Sequence, residues 1–413
     1  MVKHRAVITG MGVISPVGNN LEEFWDNLVN GRSGIDFATR FDTSTLPTKV
    51  AGEVKNFEPT EWLDKKESRR MDRFAQFAVA ASKMALQDSG LDLEQIDRDR
   101  AGAVIGCGIG GVITFEEQKE VLMAKGPGRV SPFFVPMLIS NMAAGHISIT
   151  FGLQGPSLTV TTACASATDA IGRALRLIQS GEVDVVLSGG TEAPLTELAF
   201  AGFCSMKAMS TEKENPAEAC RPFDRRRSGF VMGEGAGILV IESLEHAQKR
   251  GAHIYAELAG YGATSDAHHI TTPAPGGEGA AKAMRKALTD AGLSPEEVTY
   301  INAHGTGTDA NDATETAAIK GVFGPAAAKV AVSSTKSMTG HLMGAAGGVE
   351  AIISALAIER GVIPPTMNYG EPDPECDLDY VPNEARSVEV KAAMSNNLGF
   401  GGHNATIILK KFV

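Results

Sequence analysis

The amino-acid sequence predicts an α/β protein built from mixed sheets with helices on both faces. Three observations carry this prediction. Short apolar runs alternate with segments of helical periodicity along the chain. The 413 residues exceed what one simple core usually organises, and 43% hydrophobic against 21% charged residues is enough apolar material for a layered one. Near residue 254 the pattern starts again, as it would in two related halves, although such patterns also recur by chance in α/β proteins.

The elements follow in order. Residues 6–14 read as a buried strand closed by a Gly/Pro/Asn turn. Asn19 or Asn20 can cap a helix over 22–30 that stops at Gly31. Residues 71–89 carry apolar side chains at helical spacing and stop at Gly90. A short strand at 101–105, a small-residue helix at 141–151, a strand at 157–161 and a helix at 165–180 come next. Residues 183–187 are unbroken apolar, which predicts a strand buried on both faces. A strand at 236–243 and a short helix at 244–250 close this part. The second part offers strands at 254–261, 298–303, 330–333, 388–396 and 405–410, with helices at 279–291, 309–322 and 344–360. The helix ends Ser89-Gly90-Leu91 and Ala291-Gly292-Leu293 match. Residues 372–382, acidic and rich in proline, read as a surface loop.

Bulk properties narrow the function. A formal charge of −11 argues against nucleic acid, whose phosphates need a basic surface, but leaves room for an acidic partner met by a local patch. The five cysteines, at 107, 164, 204, 220 and 376, form no Cys-x-x-Cys pair, so neither structural zinc nor a redox dithiol is predicted. A reducing compartment fits them. The apolar run at 6–12 is too short for a signal peptide and no stretch is long enough to cross a membrane; a soluble, cytoplasmic protein is expected.

Chemistry concentrates at three junctions. In Thr161-Thr162-Ala163-Cys164-Ala165-Ser166-Ala167 an apolar strand runs straight into a helix. Amides and dipole at a helix N-terminus favour a thiolate, and the small neighbours leave Cys164 approachable for a thioester. Cys107 and Cys204 lack that setting and read as small buried hydrophobes. His304 ends a strand and precedes Gly305-Thr306-Gly307-Thr308; His341 follows Lys336-Ser337-Met338-Thr339-Gly340 and precedes a helix. One histidine beside glycine is more often structural. Two, each in a Gly/Thr-rich turn at a sheet edge, suit partners for a nucleophile. His146, His253, His268 and His269 have no such setting, His4 and His246 read as surface residues, and His403 lies near the Gly399–Gly402 turn. Zinc on Cys164, His304 and His341 would lack local ligand pairing and a nearby carboxylate. The glycines of 106–111 only loosely match a dinucleotide fingerprint: no acidic residue follows at a second strand end, and the helix expected next is poor.

Four segments carry a family resemblance: Thr162-Ala163-Cys164-Ala165-Ser166, Asn302-Ala303-His304-Gly305-Thr306-Gly307-Thr308, Lys336-Ser337-Met338-Thr339-Gly340-His341 and Asn396-Asn397-Leu398-Gly399-Phe400-Gly401-Gly402. In order and separation they resemble the beta-ketoacyl-[acyl-carrier-protein] synthases, most closely the elongation type of dissociated fatty acid synthesis. The likeness runs from Ala6 to Lys410. It implies the thiolase fold, a duplicated five-layer αβαβα architecture, with half 1–251 carrying the nucleophile and half 252–413 both histidines. It implies a homodimer, no required cofactor, and substrates delivered on acyl carrier protein. The reaction implied is decarboxylative Claisen condensation of an acyl with a malonyl carrier thioester.

By the same resemblance Cys164 is acylated, His304 and His341 support malonyl decarboxylation, Lys336 orders the site and Glu315 supports it. Amides of Cys164 and Phe400 form the oxyanion hole, and Phe400 is also a gate. Ile109, Phe134, Phe203 and Phe400 line the acyl pocket, Thr271, Thr306 and Thr308 the pantetheine path. Some members hold a monovalent cation near residues matching Asn302, Glu350 and Asn396. An acidic carrier implies a basic dock, for which Lys65, Lys66, Arg69, Arg70 and Lys207 are candidates beside the plainer reading of solvated helix charges. The sequence departs from the commonest family form at Asn397 and Leu398, where serine and phenylalanine are usual; the change is expected to affect packing behind the gate and leave the chemistry intact.

Related activities fit less well. A thiolase generally uses a second C-terminal cysteine as base, and Cys376 sits in the acidic loop instead. The priming condensing enzyme pairs its cysteine with histidine and asparagine, whereas here the late partner is His341. A non-catalytic acyl-binding subunit would lack the nucleophile. A polyketide ketosynthase has nearly the same residues and stays open.

Overall fold

A computed structural model describes residues 3–413. The strands of its main sheet are β1 (Ala6–Ile14), β2 (Ala101–Gly106), β3 (Ser157–Val160), β4 (Val185–Glu192), β5 (Gly235–Ser243), β6 (Ala256–Ser265), β7 (Tyr300–Asn302), β8 (Ala331–Ser333), β9 (Ala392–Gly399) and β10 (His403–Lys410). They form one continuous sheet in the order β8-β7-β9-β10-β6-β1-β5-β4-β2-β3. Read outward from its middle, the order is first, fifth, fourth, second, third strand on each side. Only Ala6, Val7 and Ile8 of β1 pair with β6; the register then shifts before Gly10 and the two sides part.

The principal helices are α1 (Arg73–Ser89), α2 (Val112–Lys125), α3 (Ser166–Gln179), α4 (Glu197–Ser205), α5 (Glu278–Ala291), α6 (Asp309–Phe323) and α7 (Ala346–Arg360). α1 packs on β1 and β5, and α5 on β6 and β10. α3 and α7 touch strands of both sides and form the middle layer. Residues Ala346 to Ile358 of α7 are buried all round, which is why its sequence is apolar and small on every face.

The repeat reaches individual residues. A side chain at Gly10 or Gly12 would strike the backbone of Ala85 or Ala81 in α1. One at Gly260 or Gly262 would strike Ala287 or Ala283 in α5. Each outer helix therefore lies on its strand through a Gly-x-Gly and an Ala-x-x-x-Ala, a contact too close for any Cβ. Both helices end on a left-handed glycine, Gly90 and Gly292.

Three expectations need correction. A well-formed helix, α2, does follow the Gly106–Gly111 run. It buries only Thr114 and leaves Phe115, Leu122 and Met123 exposed, so its sequence carries no one-sided apolar stripe to read. α4 escaped notice likewise, burying Phe200 alone. The 372–382 loop is partly internal: Cys376, Tyr380 and Val381 are buried, and its acids pair with Arg227, Lys320 and Arg386. His246 is half-buried against Glu242, at 2.5 Å, rather than a surface residue. Among the described residues no helix is long and apolar enough to cross a membrane.

Candidate active site

The middle layer and the strand ends on both sides converge on one cavity of about 360 Å³. Cys164 enters it from the tight turn Ala163–Ala165 between β3 and α3. Ala163 there has φ of 52°, an uncommon conformation for a residue with a side chain. His304 leaves the end of β7, where Gly305 turns the chain. His341 follows the short helix Lys336–Thr339 and is fixed by its own amide, which donates to the Val231 carbonyl at 2.7 Å. Ligand atoms of Cys164, His304 and His341 lie within 4.8 Å of one another, and the two rings stand nearly perpendicular at 5.2 Å.

Burial sets the protonation states. It holds both imidazoles well below their ordinary value, helped by the Lys336 charge, so both are neutral. It pushes the Cys164 thiol up to about 12, although Lys336 and the Phe400 amide work the other way. The expected helix-end thiolate is thus not the resting form: desolvation outweighs the helix terminus. Such a thiol reacts by losing its proton to a neighbour during attack, and two neutral imidazoles stand ready to take it. His304 Nδ1 and both ring nitrogens of His341 are buried without a partner among the described residues. Unpaired buried nitrogens are costly unless a substrate oxygen completes them.

Glu315, fully buried on α6, accepts the amides of His304 and Gly305 at 2.8 Å each. Burial raises its carboxyl to about 7 against those two bonds. Below that pH it gains a proton and one amide loses its acceptor, loosening the His304 turn. Catalysis should therefore decline as pH falls through about 7, with the histidines, already neutral, contributing nothing in that window. Glu315→Gln should give a flat pH profile at the reduced level; an unchanged acid limb in that variant would assign it elsewhere.

The remaining predicted residues divide. Phe203, Phe400, Lys207, Thr271, Thr306 and Thr308 line the cavity with Cys164, His304 and His341. Phe203, on α4, stacks with Phe400 at 6.3 Å. A side chain at Gly399 would come 3.1 Å from the Cys164 amide, so the turn before Phe400 must stay bare to close over the sulfur. Ile109 and Phe134 do not line this cavity within one chain. Ile109 is 40% exposed, and Phe134 is half-buried beside the exposed Phe133, Val135 and Ile139. Lys65, Lys66, Arg69 and Arg70 edge a separate shallow depression with Phe133. Arg70 lies over the Phe133 ring and pairs with Glu67.

Sequence reading missed Glu192. Its fully buried carboxylate accepts the amides of Gly108, Ile109 and Gly110 at 2.7, 3.0 and 3.2 Å, and that of Gly344 at 3.1 Å. The glycine-rich loop is thus an anion cradle whose anion is part of the chain, which removes the nucleotide reading. A lone acid closing the apolar β4 was the available signal. Asp312 similarly accepts the amides of Phe223 and Gly307 and holds the threonine loop.

The cation group fits poorly. Lys336 already neutralises Glu350, and Asn397 bonds its other oxygen. Asn396 is spent on Glu315 and Thr406, leaving only Asn302 Oδ1 unpartnered. Zinc on Cys164, His304 and His341 would face the Lys336 charge, which acts on all three.

Residues 3–247 match the family described as Beta-ketoacyl synthase, N-terminal domain, and residues 255–370 match Beta-ketoacyl synthase, C-terminal domain. The chain is 56% identical over 408 residues to 3-oxoacyl-[acyl-carrier-protein] synthase 2 of Staphylococcus aureus (strain COL), covering 99% of itself and 98% of that protein. It is 52% identical over 410 residues to the protein of the same name from Synechocystis sp., covering 99% of each. Among solved structures, the ishigamide ketosynthase/chain length factor superposes with a TM-score of 0.94 at 42% identity over 100% of both chains. A type II PKS ketosynthase bound to a hexaketide, solved in complex with its acyl-carrier protein, gives 0.93 at 37% identity over 99% of this chain and 100% of that one.

Proposed function

The chain belongs to the beta-ketoacyl synthase family, and from that premise we propose that it condenses an acyl with a malonyl carrier-protein thioester, lengthening a fatty acyl chain by two carbons. The observation that carries the reading is a thiol and two neutral, unpartnered imidazoles gathered within 4.8 Å at one cavity. The Cys164 sulfur attacks the acyl thioester. Its proton passes through an imidazole to the departing carrier thiol, and the amides of Cys164 and Phe400 meet the oxyanion. Malonyl thioester then loses carbon dioxide, and the electron pair of the broken bond becomes an enolate. His304 and His341 donate hydrogen bonds to its oxygen. The enolate carbon attacks the acyl–Cys164 carbonyl, the C–S bond breaks, and the leaving sulfur takes up one proton from solvent through an imidazole. No redox partner is needed for this balance.

Lys336 supplies the positive field at the sulfur and rings, and Glu315 holds the His304 turn. Thr271, Thr306 and Thr308 flank the path of a pantetheine arm. In this reading the halves divide at 251/252, a division that the repeated strand order supports. A homodimer accounts for the apolar surface of Ile109, Phe133, Val135, Ile139 and Leu158 beside the free edge strand β3, and would bring Ile109 and Phe134 to an acyl tunnel. Sedimentation as a monomer at micromolar concentration would refute it. The cytoplasm is the compartment this reading takes, in keeping with five cysteines that form no Cys-x-x-Cys pair and are all free.

Identity of 56% and 52% to proteins named 3-oxoacyl-[acyl-carrier-protein] synthase 2, against 42% to the ishigamide ketosynthase/chain length factor and 37% to a type II PKS ketosynthase, favours the fatty acyl product. The experiment supplies a panel of acyl carriers with malonyl carrier and reads products by mass spectrometry. Single-round 3-oxoacyl products support the proposal; repeated unreduced extension would replace it with polyketide synthesis. The exposed Lys65, Lys66 and Arg69, with Arg70, form the proposed carrier dock, aided by Lys207 at the cavity mouth. Reversing Arg69 and Arg70 to glutamate should raise KM for the carrier substrate roughly tenfold, with kcat within about twofold and a weaker salt dependence. An unchanged KM would remove these residues from the dock.

A further inference from the structure

Asn397 sits on β9, three residues before Phe400, with its side chain fully buried. Its Nδ2 donates to Glu350 Oε2 at 2.7 Å. Its Oδ1 accepts from the hydroxyl of Thr168, which lies in the first turn of α3 just after Cys164. The other Glu350 oxygen holds Lys336 Nζ. Four elements therefore meet in one unbroken chain of bonds: the nucleophile helix, the gate strand, the middle helix α7 and the lysine segment. Space is reserved for it, since a Cβ at Gly347 would collide with Thr168 Oγ1 and lie 2.7 Å from Asn397 Oδ1. Position 397 does not simply pack behind the gate, as the sequence suggested; it bonds the carboxylate that holds the lysine.

We infer that Asn397 is a positioning residue that fixes the direction of Glu350 and through it the placement of Lys336 beside Cys164 and the two histidines. A carboxylate has two oxygens, and a single ion pair leaves it free to rotate. The Asn397 amide takes one oxygen, so the other must face Lys336. Because a carboxylate can only accept, Glu350 fixes which way the amide points, and the Thr168 hydroxyl donates to the amide oxygen on the other side. Lys336 is the largest influence opposing burial at the Cys164 sulfur, so its placement is felt there.

This inference takes its catalytic meaning from the proposed condensation, but its main readout does not depend on substrate. The pH profile of Cys164 alkylation by iodoacetamide, followed at the peptide level, reports the field of Lys336 at the sulfur. Asn397→Leu keeps the shape and removes both bonds. Glu350 then turns both oxygens to Lys336, so the profile should move to higher pH by about one unit. Carbon dioxide release from malonyl carrier should fall at least about tenfold, the loss expected for a hydrogen bond to a buried charge. The double variant T168V/N397L removes the orphaned hydroxyl as well. It should recover thermal stability in part while the displaced profile persists. Should Asn397→Leu fail to fold, Asn397→Ser should show the same displacement, smaller. A wild-type profile in N397L or N397S, or its return in T168V/N397L, would overturn the inference and leave Asn397 as a packing tie. A wild-type protein that alkylates but neither releases carbon dioxide nor condenses would instead refute the functional reading.

Discussion

Cys164→Ala should abolish condensation, by on the order of 10³-fold or more, while carbon dioxide release from malonyl carrier continues. The two halves of that result follow from the division of labour in the cavity. Only the sulfur is positioned to hold the growing chain: the Phe400 amide points at it, and both imidazoles stand within 4.8 Å. Serine and threonine hydroxyls also line the cavity, at Ser228, Thr271, Thr272, Thr306 and Thr308, but none occupies the Ala163–Ala165 turn that the Phe400 amide faces. The histidines keep their neutral state without the thiol, because burial and Lys336 set it. Intact-mass analysis should show no acyl adduct, and headspace carbon dioxide should accumulate without 3-oxoacyl product. Accumulation of condensed product by this variant would remove Cys164 from the mechanism.

The same cavity explains what could be read in the sequence. Cys164 and His304 follow strand ends and His341 a short helix, all at turns of small residues, and such local junctions survive translation into a one-dimensional pattern. The Gly-x-Gly of β1 and β6 and the facing alanines of α1 and α5 were equally visible, and they give the repeat a physical cause. What escaped depends on partners far along the chain. Glu192 takes meaning from amides more than 80 residues away. The thiol's protonation depends on layers that dry it, not on its own helix. Ile109 and Phe134 lie away from the cavity, at the surface of the chain, so the pocket role proposed for them rests on the proposed second copy. α2 and α4 left no stripe because each buries a single side chain, Thr114 and Phe200.

Lys336→Met should cost stability and chemistry by separable routes. Lys336 and Glu350 are 1% and 4% exposed, and removing one member of a buried pair typically costs about 3–5 kcal/mol, because the other charge is left without compensation. Lys336→Met should therefore lower the denaturation midpoint markedly. Adding Glu350→Gln removes the stranded charge and keeps an acceptor for the Asn397 amide, so the double variant should recover most of that loss. Activity should not follow. Without the lysine the largest influence opposing burial at the sulfur is gone, and Cys164 acylation should slow by roughly 10–100-fold, equivalent to about 1.4–2.7 kcal/mol. The histidines should stay neutral, since burial is the larger cause for each. Stability from denaturant melts and acylation from single-turnover mass spectrometry thus report the two roles independently. If K336M/E350Q regains acylation along with stability, Lys336 serves only to neutralise Glu350, and its field at the sulfur carries no catalytic weight.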